Sequence, residues 1–304
     1  MPLSADEVID RRRLKRRLTL WRVIAVVAIV AIVVVAVGRF KDSGFASKDY
    51  VARVSVNGII TTNLARNDAL QRISNDKNAK ALIVRIDSPG GTVVGGEDLF
   101  WSLRAISKQK PVVAVFGSLG TSGAYMTALG ADRIFARKGS ITGSIGVILQ
   151  STDLTGLLEK LGVKPVSIKS SPLKAQPNPL EPLSKEARKA TEEVIGDIYQ
   201  MFVDMVASRR NIDMDRARAL ADGRVFTGRQ GLKVGLIDAI GGEEEARAWL
   251  SNTRKIDLTL PIKDIKISKQ RKIWQALFQG IFGKTLFSKR LTLDGPISLW
   301  HPRF

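Results

Sequence analysis

Four short segments of this 304-residue chain carry the residue types that could do chemistry: DSPGG (87–91), GSLGTSGAY (117–125), TGSIGV (142–147) and IKSSPLKAQP (168–177). Three offer serines among glycines and the fourth offers two lysines. A serine becomes a nucleophile only when a neighbouring base takes its proton. The chain has no cysteine and a single histidine, His301, in the end tail beside Trp300 and Pro302, where no role is assigned to it. Lysine is the main remaining base, so the pattern points to Ser–Lys chemistry.

Each segment also has a plainer reading. DSPGG follows an apolar strand and precedes a helix; its glycines permit unusual backbone angles and close approach of another chain, and alone it reads as a tight turn. In GSLGTSGAY a serine sits at a helix start, where free N–H groups and the positive dipole end favour an oxyanion. Ser118, Thr121 or Ser122 could instead simply cap that helix. A strict G-x-S-x-G elbow is not present, because Ala124 stands at the final glycine. The small residues of TGSIGV suggest tight packing beside the site. Lys169 and Lys174 lie in apolar, proline-rich surroundings. A lysine serves as general base only when burial takes its pKa well below the ordinary value of about 10.4, and a solvated surface lysine is the default.

The elements that must hold these segments read as α/β. Residues 50–56 alternate as a strand and end at the Asn57-Gly58 turn. Helical spacing marks 64–75, and the continuous apolar run 81–86 reads as a strand covered on both faces. A helix over 96–107, a buried strand over 111–116 and a helix over 124–129 come next, then a long amphipathic helix over 184–210 with Ser184 at its capped start. Strands alternating with helices imply parallel βαβ units. No internal repeat is visible, so one catalytic domain is expected, and a short chain of this type can need neighbours to complete its site.

The net charge of +19 divides into +5 over residues 1–47, +6 over 48–250 and +8 over 251–304. The middle, which carries every motif, is only mildly basic; this argues against a nucleic-acid face and for charged ends near a membrane. Residues 23–37 form an uninterrupted apolar run behind the Arg11–Arg17 cluster of six positive charges. Positive-inside logic keeps that cluster in the cytoplasm and sends the chain beyond Gly38 across the membrane. A retained anchor is the preferred expectation, with cleavage at Ala36-Val37-Gly38 as the alternative. The expected organisation is a basic cytoplasmic segment (1–22), an anchor (23–38), a linker (39–48), the catalytic domain (49–250) and a basic extension (251–304). In the extension, Trp274, Leu277, Phe278, Ile281 and Phe282 share one helical face, for anionic lipid or for packing on protein.

Together and in this order, the segments resemble the S49 family of signal peptide peptidases in its short single-repeat form, over roughly residues 48–245. GRVFTGRQGLKVGLIDAIGG (223–242) resembles the family's closing segment. The resemblance implies a ClpP/crotonase-like fold of stacked βαβ units, preceded here by one transmembrane helix. It implies a nucleophile at Ser122, oxyanion donors at the N–H groups of Gly91 and Gly123, and a lysine-orienting hydroxyl at Ser144. The family's lysine pattern, approximately K-S-G-x-x-K-D, matches KSSPLKA here, which puts the catalytic base at Lys174 and the earlier lysine at Lys169. Ser171 and Ala175 depart from that pattern, and Lys174 is preferred over Lys169 as base. The resemblance further implies peptide substrates, signal peptides first. It implies a ring-shaped homo-oligomer, an octamer, with dyads completed between protomers on the outer face of the bacterial inner membrane. No metal, nucleotide or other cofactor is called for. Two rival readings are a crotonase-like CoA enzyme and a non-catalytic membrane scaffold of the same fold.

Overall fold

The structure, a computed structural model, describes residues 17–33 and 49–267. The first helix, α1 (17–33), is exposed along its whole length. Among the described residues no helix is long and apolar enough to cross a membrane. The anchor expected over 23–38 continues past Val33 into residues that lie outside the described ones, as do the amphipathic helix expected around Trp274–Phe282 and His301.

The body is built on β1 (Tyr50–Asn57), β2 (Ala79–Ser88) and β3 (Val112–Thr121), parallel neighbours linked through α2 (Leu64–Asn75) and α3 (Val93–Ser107). After β3 come α4 (Gly123–Ala128), β4 (Arg133–Ala136) and β5 (Ile141–Gly143). The chain continues through α5 (Thr155–Lys160), α6 (Lys185–Arg210), α7 (Met214–Leu220), β6 (Val225–Thr227), α8 (Gly228–Val234), β7 (Ala239–Ile240), α9 (Glu243–Arg254) and β8 (Ile262–Asp264). The sheet order is β6-β5-β3-β2-β1-β8, with β4 pairing β3 and β7 beyond it. Among the described strands only β5 and β6 run antiparallel, so the expected α/β architecture holds, with parallel units everywhere but at that edge. β8 pairs with β1 through Val51 and Ile262, which takes the sheet past residue 250 into the C-terminal segment.

The strands are apolar on both sides because both sides are covered. Ala52, Val54, Val56, Leu82, Val84, Ile86, Ala114 and Phe116 face one core with α2, α3, α4 and α6. The alternate residues Val51, Ala81, Ile83, Val113 and Val115 face a second core with Ala246 and Leu250 of α9. Helix α3 starts at Val93, three residues before the expected start, because Thr92 accepts the N–H of Gly95 at 3.2 Å. Helix α6 begins as expected, with Ser184 accepting the N–H of Ala187 at 3.0 Å.

Two contacts fix the short helix α4 to the rest. The buried phenol of Tyr125 donates to the carbonyl of Leu236 at 2.8 Å, and burial holds its pKa far above the ordinary value. At the other end, the Arg209 guanidinium of α6 donates to the carbonyls of Leu129 and Ala131 at 2.8 and 2.9 Å.

Candidate active site

Ser122 stands between β3 and α4 with φ 53° and ψ −125°. A non-glycine residue in that region costs about 1–3 kcal/mol and persists only where its surroundings over-determine it. The surroundings do so here. The Ser122 N–H donates to the carbonyl of Gly143 at 2.9 Å, and its own carbonyl accepts the N–H of Met126 at 2.9 Å. Ser122 occupies the N-cap position, yet its side chain makes no cap hydrogen bond. That removes the plain capping role for Ser122. Its hydroxyl has no partner among the described residues and is half-exposed at a sharp strand-to-helix turn, the arrangement that presents a nucleophile.

The turn after β2 lies directly against this serine. Gly90 has φ 105°, and a Cβ there would sit 2.9 Å from both the Gly123 nitrogen and the Ser122 Cβ. Gly91 is wedged against Ile60: a Cβ would fall 1.9 Å from the Ile60 carbonyl oxygen. Ile60 clasps the turn from both sides, donating its N–H to Gly90 at 2.8 Å and accepting from Thr92 at 2.8 Å. A Cβ on Gly123 would be 3.4 Å from the Gly91 nitrogen, so these two N–H groups are close neighbours. Among the described residues neither N–H donates to a backbone acceptor. Two unclaimed donors beside an unclaimed hydroxyl can hold a developing oxyanion.

Ser144 arrives by register. β3 and β5 pair Thr121 with Gly143, so Ser122 and Ser144 each directly follow the last residue of that pairing. Ser144 is also held at positive φ, 49°, and its N–H donates to Arg224 at 2.8 Å. Gly91, Ser122, Gly123 and Ser144 thus all follow the carboxyl ends of the parallel strands β2, β3 and β5.

The lysines are placed elsewhere. Residues 147–183 leave the body as an arm whose hydrogen bonds, among the described residues, all close within the arm itself; an example is Leu154 N–H to Pro179 at 2.9 Å. α5 within the arm buries no residue, and Val166 and Ile168 are 84% and 98% exposed. Lys169 is ion-paired with Glu181, and that contact is the main reason the Glu181 carboxyl is held down at about 2. Gln176 donates to the same carboxylate. Lys174 is exposed and its ammonium makes no hydrogen bond or ion pair among the described residues. Among the described residues the two lysines that the sequence leaves in competition are thus distinct, Lys169 engaged and Lys174 without a partner.

Sequence reasoning passed over two groups. The fully buried Ser88 hydroxyl accepts the Gly90 N–H at 3.0 Å and shapes the turn that carries Gly91; its place within a motif already singled out was the available signal. Glu181 carried no motif, and only the folded arm reveals its role.

With this geometry in view, the family model and the protease relatives define a class. The model of peptidase family S49 matches residues 104–257. The Synechocystis sp. protein slr0021, a protease by assignment, is 41% identical over 214 residues, covering 70% of this chain and 77% of its own length. The chloroplastic serine protease SPPA of Arabidopsis thaliana is 31% identical over 75% of this chain but only 34% of its own length. Protease 4 of Haemophilus influenzae is 30% identical, and the chain covers 29% of it. A solved membrane-bound stomatin-specific protease aligns over 77% of this chain and 99% of its own at 19% identity and a TM-score of 0.49, a distant likeness. The class is that of the serine peptidases. The chain belongs to peptidase family S49.

Proposed function

We propose that this chain is a membrane-anchored serine endopeptidase with a Ser122–Lys174 dyad, acting on remnant signal peptides and other extended apolar peptides. The observation that carries the reading is Ser122 held at φ 53° with an unclaimed hydroxyl, next to the unclaimed N–H groups of Gly91 and Gly123. We read the stacked βαβ units as the ClpP/crotonase-like fold. Lys174 takes the hydroxyl proton, Ser122 attacks the scissile carbonyl, and the two N–H groups hold the oxyanion. The acyl-enzyme is then hydrolysed by water activated by the same amine. Ser144, which follows β5 as Ser122 follows β3, orients that amine.

The exposed arm supports completion of the site between protomers. Among the described residues Lys174 has no hydrogen-bond or ion-pair partner, and none of them covers Ile148, Val166 or Ile168, which stay exposed on the arm. A neighbouring copy in a ring, an octamer by resemblance, would bury these side chains and bring Lys174 to the next protomer's Ser122. The apolar run 23–37 behind Arg11–Arg17 supports a single-pass anchor with the body on the outer side of the bacterial inner membrane. The deciding experiment is labelling of the full-length chain with a fluorophosphonate probe and subsequent peptide mapping. Modification at Ser122, absent in Ser122→Ala, is the expected result; a chain unlabelled at Ser122 would instead be the non-catalytic scaffold.

A further inference from the structure

β2 and β3 lose register just before the nucleophile. Ile86 pairs with Phe116, but the next pair is Ser88 with Gly120. One residue of β2, Asp87, therefore faces three of β3: Gly117, Ser118 and Leu119. Such a bulge bends its strand and re-aims the residues beyond it, and Ser122 lies just beyond this one.

The bulge is held from two sides. The Leu119 N–H donates to the Asp87 carboxylate at 3.0 Å. On the other side, the Ser140 hydroxyl donates to the Gly117 carbonyl at 2.6 Å and accepts the Arg137 N–H at 3.1 Å. Gly117 is required for the first contact, because a Cβ there would lie 2.9 Å from the Asp87 Cγ. Asp87 is itself fixed by strand pairing, its carbonyl accepting the Gly58 N–H at 3.1 Å. The adjoining Ser88 hydroxyl shapes the Gly90 turn. The end of β2 thus touches both halves of the site: Asp87 the nucleophile's strand, Ser88 the oxyanion turn.

We propose that Asp87 is a positioning residue, whose carboxylate pins the 117–119 bulge and so aims Ser122 at the N–H groups of Gly91 and Gly123. The proposal rests on the peptidase reading above. Its chemistry is hydrogen-bond acceptance rather than charge, so an amide oxygen at the same place suffices.

The test uses the full-length protein in detergent, with two independent readouts. Fluorophosphonate labelling of Ser122 slows by about 10- to 100-fold in Asp87→Ala, as expected of a misplaced reacting group, and returns close to the starting rate in Asp87→Asn. Gly117→Ala, which displaces the carboxylate while leaving Asp87 in place, slows labelling as Asp87→Ala does. In the second readout, hydrogen exchange of the 117–122 amides accelerates in Asp87→Ala and not in Asp87→Asn. Labelling at the unmodified rate in Asp87→Ala, or an Asp87→Asn variant as slow as the alanine, overturns the assignment. A parent chain that never labels removes the peptidase reading alone. Exchange then still decides the brace, and unchanged exchange in Asp87→Ala overturns it.

Discussion

The Ser122 N–H donates to the carbonyl of Gly143, 2.9 Å away, in the residue just before Ser144. That single bond ties the proposed nucleophile to the strand carrying the proposed orienting hydroxyl. It leaves the Ser122 side chain with no role in the helix it precedes.

The two lysines of the arm separate under mutation. Lys174→Ala is expected to lower peptide turnover by about a thousandfold or more, the scale of losing a general base that also activates the nucleophile. Lys169→Ala, which removes the ion pair to Glu181 but leaves Gln176 donating to it, is expected to leave most turnover in place. Steady-state kinetics on an extended apolar peptide checks both, and the reverse order would transfer the role to Lys169. Mixed rings of Ser122→Ala and Lys174→Ala protomers are expected to recover activity.

Alanine at the two proposed oxyanion glycines is expected to act in different ways. Gly91→Ala places a Cβ 1.9 Å from the Ile60 carbonyl and is expected to cost about 2–4 kcal/mol, the range for forced backbone displacement. Gly123→Ala meets nothing closer than 3.4 Å and has no positive φ to strain. Its melting temperature should stay close to the parent's while activity falls about tenfold or more through crowding of the Gly91 donor. Calorimetry and kinetics on the same two preparations distinguish these effects.

These expectations mark where the sequence was legible. The core strands announced themselves because both faces are buried, so ALIVRI and PVVAVF read as unbroken apolar runs. The last five residues of β3, GSLGT, carry no such run. They extend as strand through pairing with β2 and β5, which local propensity does not contain. Ser122, Gly91, Gly123 and Ser144 were legible as motifs and all follow the carboxyl ends of parallel strands. Lys174 was legible only by resemblance, since nothing local distinguishes it from Lys169. The distinction comes from Glu181, twelve residues beyond Lys169, through a contact only the folded arm makes.

Acid should loosen the arm in a defined window. The Glu181 carboxyl is held down at about 2 by its hydrogen bond from Lys169, against about 4.3 for an unperturbed glutamate. Its contribution is therefore complete above about pH 4.3 and is lost as pH falls through about 2, because the unfolded arm binds the proton first. A side-chain carbonyl NMR titration checks this. A Glu181 midpoint near 4.3 would dissolve the pairing.

Tyr125→Phe removes the phenol that anchors α4 to Leu236 and leaves that carbonyl without its donor. A loss of about 1–3 kcal/mol in denaturant unfolding is expected, the cost of orphaning a buried acceptor. Little change should appear in the fluorophosphonate rate of the folded fraction, because the Tyr125 phenol is buried and its bond goes to Leu236 rather than to Ser122.

Ile168→Glu tests the arm as an interface. The side chain is 98% exposed in a single chain, so a charge there costs the isolated fold nothing measurable. In the assembly it would be buried without a partner, which is strongly unfavourable. Light scattering should report smaller particles, and unchanged particle mass would remove the arm from the contact.

If, as proposed, the arm that closes its bonds upon itself among the described residues delivers Lys174 to a neighbour, dosage is affected. A polypeptide that must borrow its proton acceptor from an adjacent copy would stay harmless while scarce, during synthesis and insertion. Catalytic output would then climb more steeply than copy number, switching on where crowding in the bilayer brings several together.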